Sequence, residues 1–195
     1  DTGTLTLSNG AVIDITDTKK SDGKYMHMCE FEGNAVLNVG DTVTLKVDAA
    51  RREAIKRNHS AVHLLQTALR HVLGDHVEQA GSYVDEYRAR FDFTHYQAMT
   101  GDEILETEKL VNEYILAGYD ITTIETDMET AKSMGAMALF GEKYGKVVRL
   151  VKMGDVSAEL CGGTHMSNTA KAGLFKIIGE SSVAAGVRRI EAVTG

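Results

Sequence analysis

Proline is absent from the 195 residues of this chain, and cysteine occurs only twice, at Cys29 and Cys161. Without proline, no helix kink or tight turn here can be assigned to a pyrrolidine ring. Two cysteines cannot build a disulfide framework, which favours a reducing, cytoplasmic setting. No apolar run approaches the roughly 18 residues of a membrane span, and no signal-peptide pattern opens the chain, so no membrane partner is expected. A basic excess is also missing: 28 acidic against 21 basic residues give a net charge of −7. A protein that binds nucleic acid unaided usually has the opposite balance. Affinity for RNA must then come from a local patch or from a larger protein around the chain. Arg51, Arg52, Lys56, Arg57 and Arg70 form one candidate patch, and Arg188 with Arg189 another. The chain starts at Asp1 without a methionine, and it reads as a piece of something longer.

What remains is the composition of an ordinary globular protein, with room for one large domain or one domain plus a small one. Residues 1–48 read as short strands, Thr4–Leu7, Ala11–Ile15, Lys24–Phe31 and Thr42–Val47. Turn signals separate them at Ser8-Asn9-Gly10, Ser21-Asp22-Gly23, Glu32-Gly33-Asn34 and Val39-Gly40-Asp41. That spacing suggests a small β-barrel-like segment, incomplete in this chain, with His27 and Cys29 as packing residues. Asp48 can cap a helix that runs to about Leu73 and stops at Gly74, with Ile55, Val62, Leu65, Leu69 and Val72 as its apolar stripe. A hairpin follows (Gln79–Val84, Tyr87–Phe93), then a helix opened by a capping box at Thr100–Glu103 and closed at Gly118. Asp120–Glu125 is a strand, and Thr126–Glu129 reads as a second capping box for a short helix. Met137–Phe140 is apolar and Gly141–Tyr144 a loop. Lys146–Met153 and Ser157–Leu160 are strands, and Gly173–Gly179 with Gly186–Val193 a final hairpin. This order predicts an α+β fold, with residues 49–195 as a second domain.

The chemistry concentrates in two pairs. His59 and His63 stand four residues apart on the long helix, one above the other on the same face. Cys161-Gly162-Gly163-Thr164-His165 offers another pair with the same spacing. Three histidines and one cysteine make a full tetrahedral set for one Zn2+, held between the helix and a β-loop. The bland reading of the same residues is a buried cysteine and hydrogen-bonded core histidines. The two glycines let the backbone turn tightly and approach a bound group. His71 lies roughly 12 Å along the helix from His63 and cannot join the same metal; neither it nor His76 nor His95 receives a role. Ser60 stands where a zinc protease helix would carry its glutamate base. Four protein ligands ordinarily close a zinc site, so catalysis would need five-coordination or a ligand that lets go. Gln79, Asp92 and Thr164 are the polar helpers within plausible reach.

Arg57–Leu65 together with Cys161–His165 resembles the editing domain of the alanyl-tRNA synthetases. Arg90-Phe-Asp-Phe93, Gly135–Tyr144, Gly154-Asp155 and Gly186–Gly195 read like the same family, and Asp1-Thr2-Gly3 looks like the tail of a longer motif. Free-standing alanyl-tRNA editing proteins and the editing domain of threonyl-tRNA synthetases are related. The resemblance implies an aminoacyl-tRNA deacylase that hydrolyses serine, and also glycine, from tRNA(Ala). Its partners would be the acceptor end of that tRNA and the remainder of the synthetase. It implies zinc ligands at His59, His63, Cys161 and His165. Gln79 would position the attacking water, Gly162 and Gly163 would meet the oxyanion, and Arg188 would bind a tRNA phosphate. Two rivals stand beside it: a structural-zinc RNA-binding module with no hydrolase activity, and a zinc hydrolase of small esters or amides. A free-standing trans-editing deacylase is a closer variant.

Overall fold

A computed structural model describes residues 1–31, 36–137 and 145–195. The Glu32–Asn34 turn, the apolar run after Met137 and the Gly141–Tyr144 loop fall outside the described residues. The chain forms two compact units, Asp1–Glu53 and Ala54–Gly195.

The first unit is one antiparallel sheet of β1 (Gly3–Leu7), β2 (Val12–Ser21), β3 (Lys24–Glu30) and β4 (Val43–Val47), in the order β3-β2-β1-β4. Alternation buries Leu5, Leu7, Ile13 and Ile15 on one face, with Cys29 and Val43 packed against them. The Asp22-Gly23 turn between β2 and β3 has positive φ at both residues, as a two-residue hairpin loop requires. The barrel-like segment, expected to be incomplete, does not close: the four strands make an open sheet whose outer strands, β3 and β4, pair with each other nowhere among the described residues. Closure requires tilt and stagger that carry the last strand back to the first. The packing role expected of His27 is corrected. It is exposed and its ring nitrogen pairs with Thr18 Oγ1 at 3.2 Å: Cys29 lies opposite the buried Ile15, whereas His27 lies opposite Thr18, beyond the buried residues of β2.

Helix α1 (Ala49–Leu73) opens with Asp48 accepting from the Arg51 N–H at 3.0 Å. The second unit is built around its remainder. From Asn58 to Leu69 the helix is buried nearly all round, well beyond the single stripe that its apolar residues suggest. It packs on a sheet of β5 (Gln79–Val84), β6 (Ala89–Thr94), β10 (Phe175–Ala184) and β11 (Val187–Thr194), ordered β10-β11-β6-β5. Phe91, Phe93, Phe175 and Ile190 of that sheet join Leu64, Leu65 and Leu69 in one core with Val111 and Ile115 of α2 (Gly101–Leu116). A second sheet holds β7 (Ile121–Thr126), β8 (Val148–Met153) and β9 (Ser157–Leu160). The Thr100 capping box forms as expected, with the Thr100 N–H donating to Glu103 and Thr100 Oγ1 accepting from the Glu103 N–H. At α3 (Met128–Ser133) the cap is Asp127, one residue later than expected: its carboxylate accepts from the Thr130 N–H and outcompetes the neighbouring threonine. The observed class is mixed α+β with antiparallel sheets.

Candidate metal centre

Two β features aim the site. In the β5–β6 ladder the register moves from Gln79↔Phe93 to Gly81↔Asp92, so Ala80 is an extra, bulged residue. After a bulge the strand's alternation resets. Gln79 and Ser82, three apart, consequently share a side, and Gln79 Nε2 donates to Ser82 Oγ at 3.4 Å. Strand β9 alternates without interruption, so Ser157 and Glu159 both turn inward, Ser157 Oγ donating to Glu159 at 3.0 Å. Cys161 follows directly. Its N–H bonds the Arg149 carbonyl at 3.0 Å, and the Arg149 guanidinium donates back to the carbonyls of Cys161 and Gly163 at 2.8 and 2.5 Å. A strand-borne arginine thus pins the loop that carries the ligands.

One ligand atom from each of His59, His63, Cys161 and His165 lies within 4.8 Å of all the others. Cys161 Sγ is 3.4 Å from both His59 Nε2 and His165 Nε2. Atoms bound tetrahedrally at about 2.0–2.3 Å from one zinc stand roughly 3.3–3.7 Å apart. Two of the remaining ring nitrogens are occupied. His63 Nδ1 pairs with Glu159 at 2.7 Å, both side chains buried. His165 Nδ1 pairs at 3.2 Å with Ser60 Oγ, which also accepts from the Met166 N–H. Ser60, no catalytic base, is an orienting group. With Nδ1 held by a carboxylate, the lone pair of His63 falls on Nε2, which is buried and has no hydrogen-bond partner. A buried nitrogen left unpaired is costly, and a cation at the centre of the four residues would satisfy it.

Electrostatics prepares the same set. Burial alone would push the Cys161 thiol up, but hydrogen bonds from His165 and His59 and the interaction with His63 bring it down to about 3, so the sulfur is a thiolate at neutral pH. Burial, assisted by the charges of His63 and His59, pushes His165 down to about 4 against the pull of its Cys161 hydrogen bond, keeping it neutral. His63 goes the other way. Burial opposes its charge, yet Glu159 and Cys161 raise it to about 10. The proton that this favours at Nε2 is the one a metal ion would replace.

The centre forms one wall of a cavity of about 200 Å³, smaller than the roughly 300–1,000 Å³ of pockets for drug-sized ligands. Its lining includes the apolar Val62 and Leu160 and the polar Gln66, Gln79 and Ser82. Gly162 lines it too. The other expected residues lie elsewhere. The Gly163 N–H donates to Cys161 Sγ at 3.4 Å, so it supports the thiolate and is not free for an oxyanion. Asp92 is locked by both oxygens to its cross-strand partner Arg189, at 2.7 and 2.8 Å, and does not line the cavity. Arg188 is held by both oxygens of Glu180, at 2.6 and 2.7 Å, so it is an already-paired cation. Thr164 is exposed. His76 and His95 bond each other at 2.9 Å, apart from the cluster. Gln66, on the histidines' own helix face, and Ser60, in the place of a glutamate base, were visible in the sequence without a role, whereas Glu159 and Arg149 escaped the sequence reading. Of the last two, only Glu159 left a signal, as a carboxylate in the strand position that alternates with Leu160 and sits two before the cysteine.

Residues 148–191, which include the Cys161–His165 loop but not the histidine pair of α1, match the family described as the threonyl and alanyl tRNA synthetase second additional domain. Over all 195 residues the chain is 54% identical to an alanine–tRNA ligase of Pelotomaculum thermopropionicum. It is 54% identical over 98% of its length to one of Acetivibrio thermocellus, and 51% over 97% to one of Alkaliphilus oremlandii. In each case it spans 22% of the relative's length.

Proposed function

We propose that this chain, a segment belonging to the alanine–tRNA ligase family, hydrolyses the ester that joins a wrong amino acid, serine or glycine, to tRNA(Ala). The observation that supports this best is the juxtaposition of a metal-competent His3Cys cluster with a small polar cavity. The need for such a site is physical. A pocket built for alanine gains only about 1–3 kcal/mol against glycine, which lacks one methyl group, and does little better against serine's added hydroxyl. A second cavity can instead select serine by pairing its hydroxyl, which alanine leaves unsatisfied.

His59, His63, Cys161 and His165 would hold zinc, their basicity set by Glu159 and Ser60. Zinc, when bound, supplies positive charge that orients the ester and stabilises developing negative charge. Gln79 holds a water over the ester carbonyl or orients a hydroxyl of the terminal ribose. Gly162, at the cavity wall, is the glycine left to meet the oxyanion. Arg188, oriented by Glu180, presents the other edge of its guanidinium to a backbone phosphate. Its charge is half spent on Glu180 and the chain is acidic, so the rest of the synthetase supplies most of the affinity for tRNA.

The test is made in the whole ligase. Cys161→Ala lowers hydrolysis of seryl-tRNA(Ala) by about 100-fold or more while charging with alanine stays within about twofold. Gln79→Ala costs about 100-fold with metal content intact. Unchanged serine clearance in the Cys161 variant contradicts the proposal. One observation favours a second reading. All four positions around the centre are filled by protein, as in structural zinc sites. Chelation separates the two. A structural staple unfolds the domain when metal leaves, whereas an editing site loses hydrolysis first.

A further inference from the structure

Gln66 lies three residues beyond His63, about 4.5 Å further along the axis of α1, and lines the same cavity. Its relative exposure is 6%. Its amide makes no hydrogen bond to any described residue, whereas the half-buried Gln79 is engaged with Ser82. Other buried polar side chains nearby are committed: Asn58 bonds the Asp85 carbonyl and Thr194, Ser60 bonds His165 and Met166, and Glu159 bonds His63 and Ser157. A glutamine offers one acceptor and two donors; neither amide atom is among the fully buried unpartnered ones, so the amide faces the cavity, and a ligand that fills the cavity must replace the hydrogen bonds it displaces there.

We propose that Gln66 is the specificity-determining residue of this cavity: its amide pairs with the side-chain hydroxyl of a bound seryl group and is left unpaired by alanyl. The proposal deepens the editing reading and rests on it. Val62, one turn before Gln66 on α1 and also lining the cavity, has no polar atom to offer that hydroxyl. Gln66 can both donate to and accept from the hydroxyl, so serine satisfies it in either orientation. Glycine, with no side chain to place there, leaves room for a water beside Gln66 and is far less sensitive to the residue's identity.

The test uses the whole ligase with Gln66→Met, close in volume but without the amide, and with Gln66→Leu as a second variant. Three quantities are read: metal content, deacylation of seryl- and glycyl-tRNA(Ala), and calorimetric binding of non-hydrolysable 3′-seryl- and 3′-alanyl-amino-adenosine. Both variants are expected to keep one metal per chain and to lose at least about tenfold in seryl-over-alanyl binding and in serine hydrolysis, with glycine hydrolysis within about threefold. Equal weakening of both amides, or no change in either, overturns the proposal. A wild-type ligase that prefers the seryl amide but hydrolyses nothing would sink the deacylase reading and leave the role of Gln66 standing. A wild-type ligase that hydrolyses serine yet binds both amides alike would sink the role of Gln66 alone.

Discussion

A β-carbon at position 163 has no room. Built on this backbone it would overlap the imidazole of His59, lying 2.6 Å from Nδ1, whereas one at position 162 meets nothing within 4 Å. Neither glycine has positive φ, so the demand at 163 is space and not backbone conformation. Gly163→Ala should push His59 off the centre and weaken metal binding about tenfold or more, and Gly162→Ala should leave it within about twofold. Competition against a chromophoric chelator measures both, and equal effects would remove the distinction. Glu159 acts through His63. Glu159→Gln keeps the shape but not the charge, and a loss of about 10–100-fold in metal affinity is expected. In the metal-free protein the raised His63 pKa means that its pairing with Glu159 stabilises the fold fully below the ordinary histidine value and fades as pH rises through about 10. Urea unfolding of both proteins from pH 6 to 10 should therefore show their difference shrinking with pH. A constant difference would mean that the pair is not ionic. The partners of Glu159 and the unpaired state of Gln66 were not legible in the sequence, because nothing local says whether a carboxylate or amide on such a face meets a histidine, a cavity or bulk water.

At the scale of elements, the sequence was most legible where a side chain bonds its own backbone. The Thr100 box follows from Thr-x-x-Glu ahead of an apolar period, and its ends lie where they were expected. Thr100→Ala should cost about 1 kcal/mol of stability in urea unfolding. The Thr100 N–H and hydroxyl hold the Glu103 carboxyl below the usual carboxylate range. That contribution is complete above the ordinary carboxylate pKa and is lost as pH falls through the depressed one. An acid titration that affects Thr100→Ala and the wild type equally would contradict it. The second box was misplaced by one residue because Thr126-Asp127 offers two competent caps in a row and tertiary context decides between them. The β5 bulge was invisible for a different reason. Gly81 hints at irregularity, but only pairing with β6 reveals that Ala80 is unopposed and that Gln79 and Ser82 share the cavity.

At the scale of the molecule, His59 and His63 were readable as a pair, as were Cys161 and His165, since each spacing is local. That β8, β9 and the Arg149 clamp carry the second pair to the first across some hundred residues is a tertiary fact. The open sheet of the first unit shows the opposite limit: four strand signals fix the number of strands but not closure. Among the described residues no helix is long and apolar enough to cross a membrane. The central claim is that two distant pairs make one metal centre, and titration with cobalt(II) in place of zinc tests it directly. Saturation at one equivalent is predicted, with the visible bands of a tetrahedral ion and a near-ultraviolet thiolate charge-transfer band that Cys161→Ala abolishes. Absence of binding, or a charge-transfer band that survives in the Cys161 variant, would contradict it.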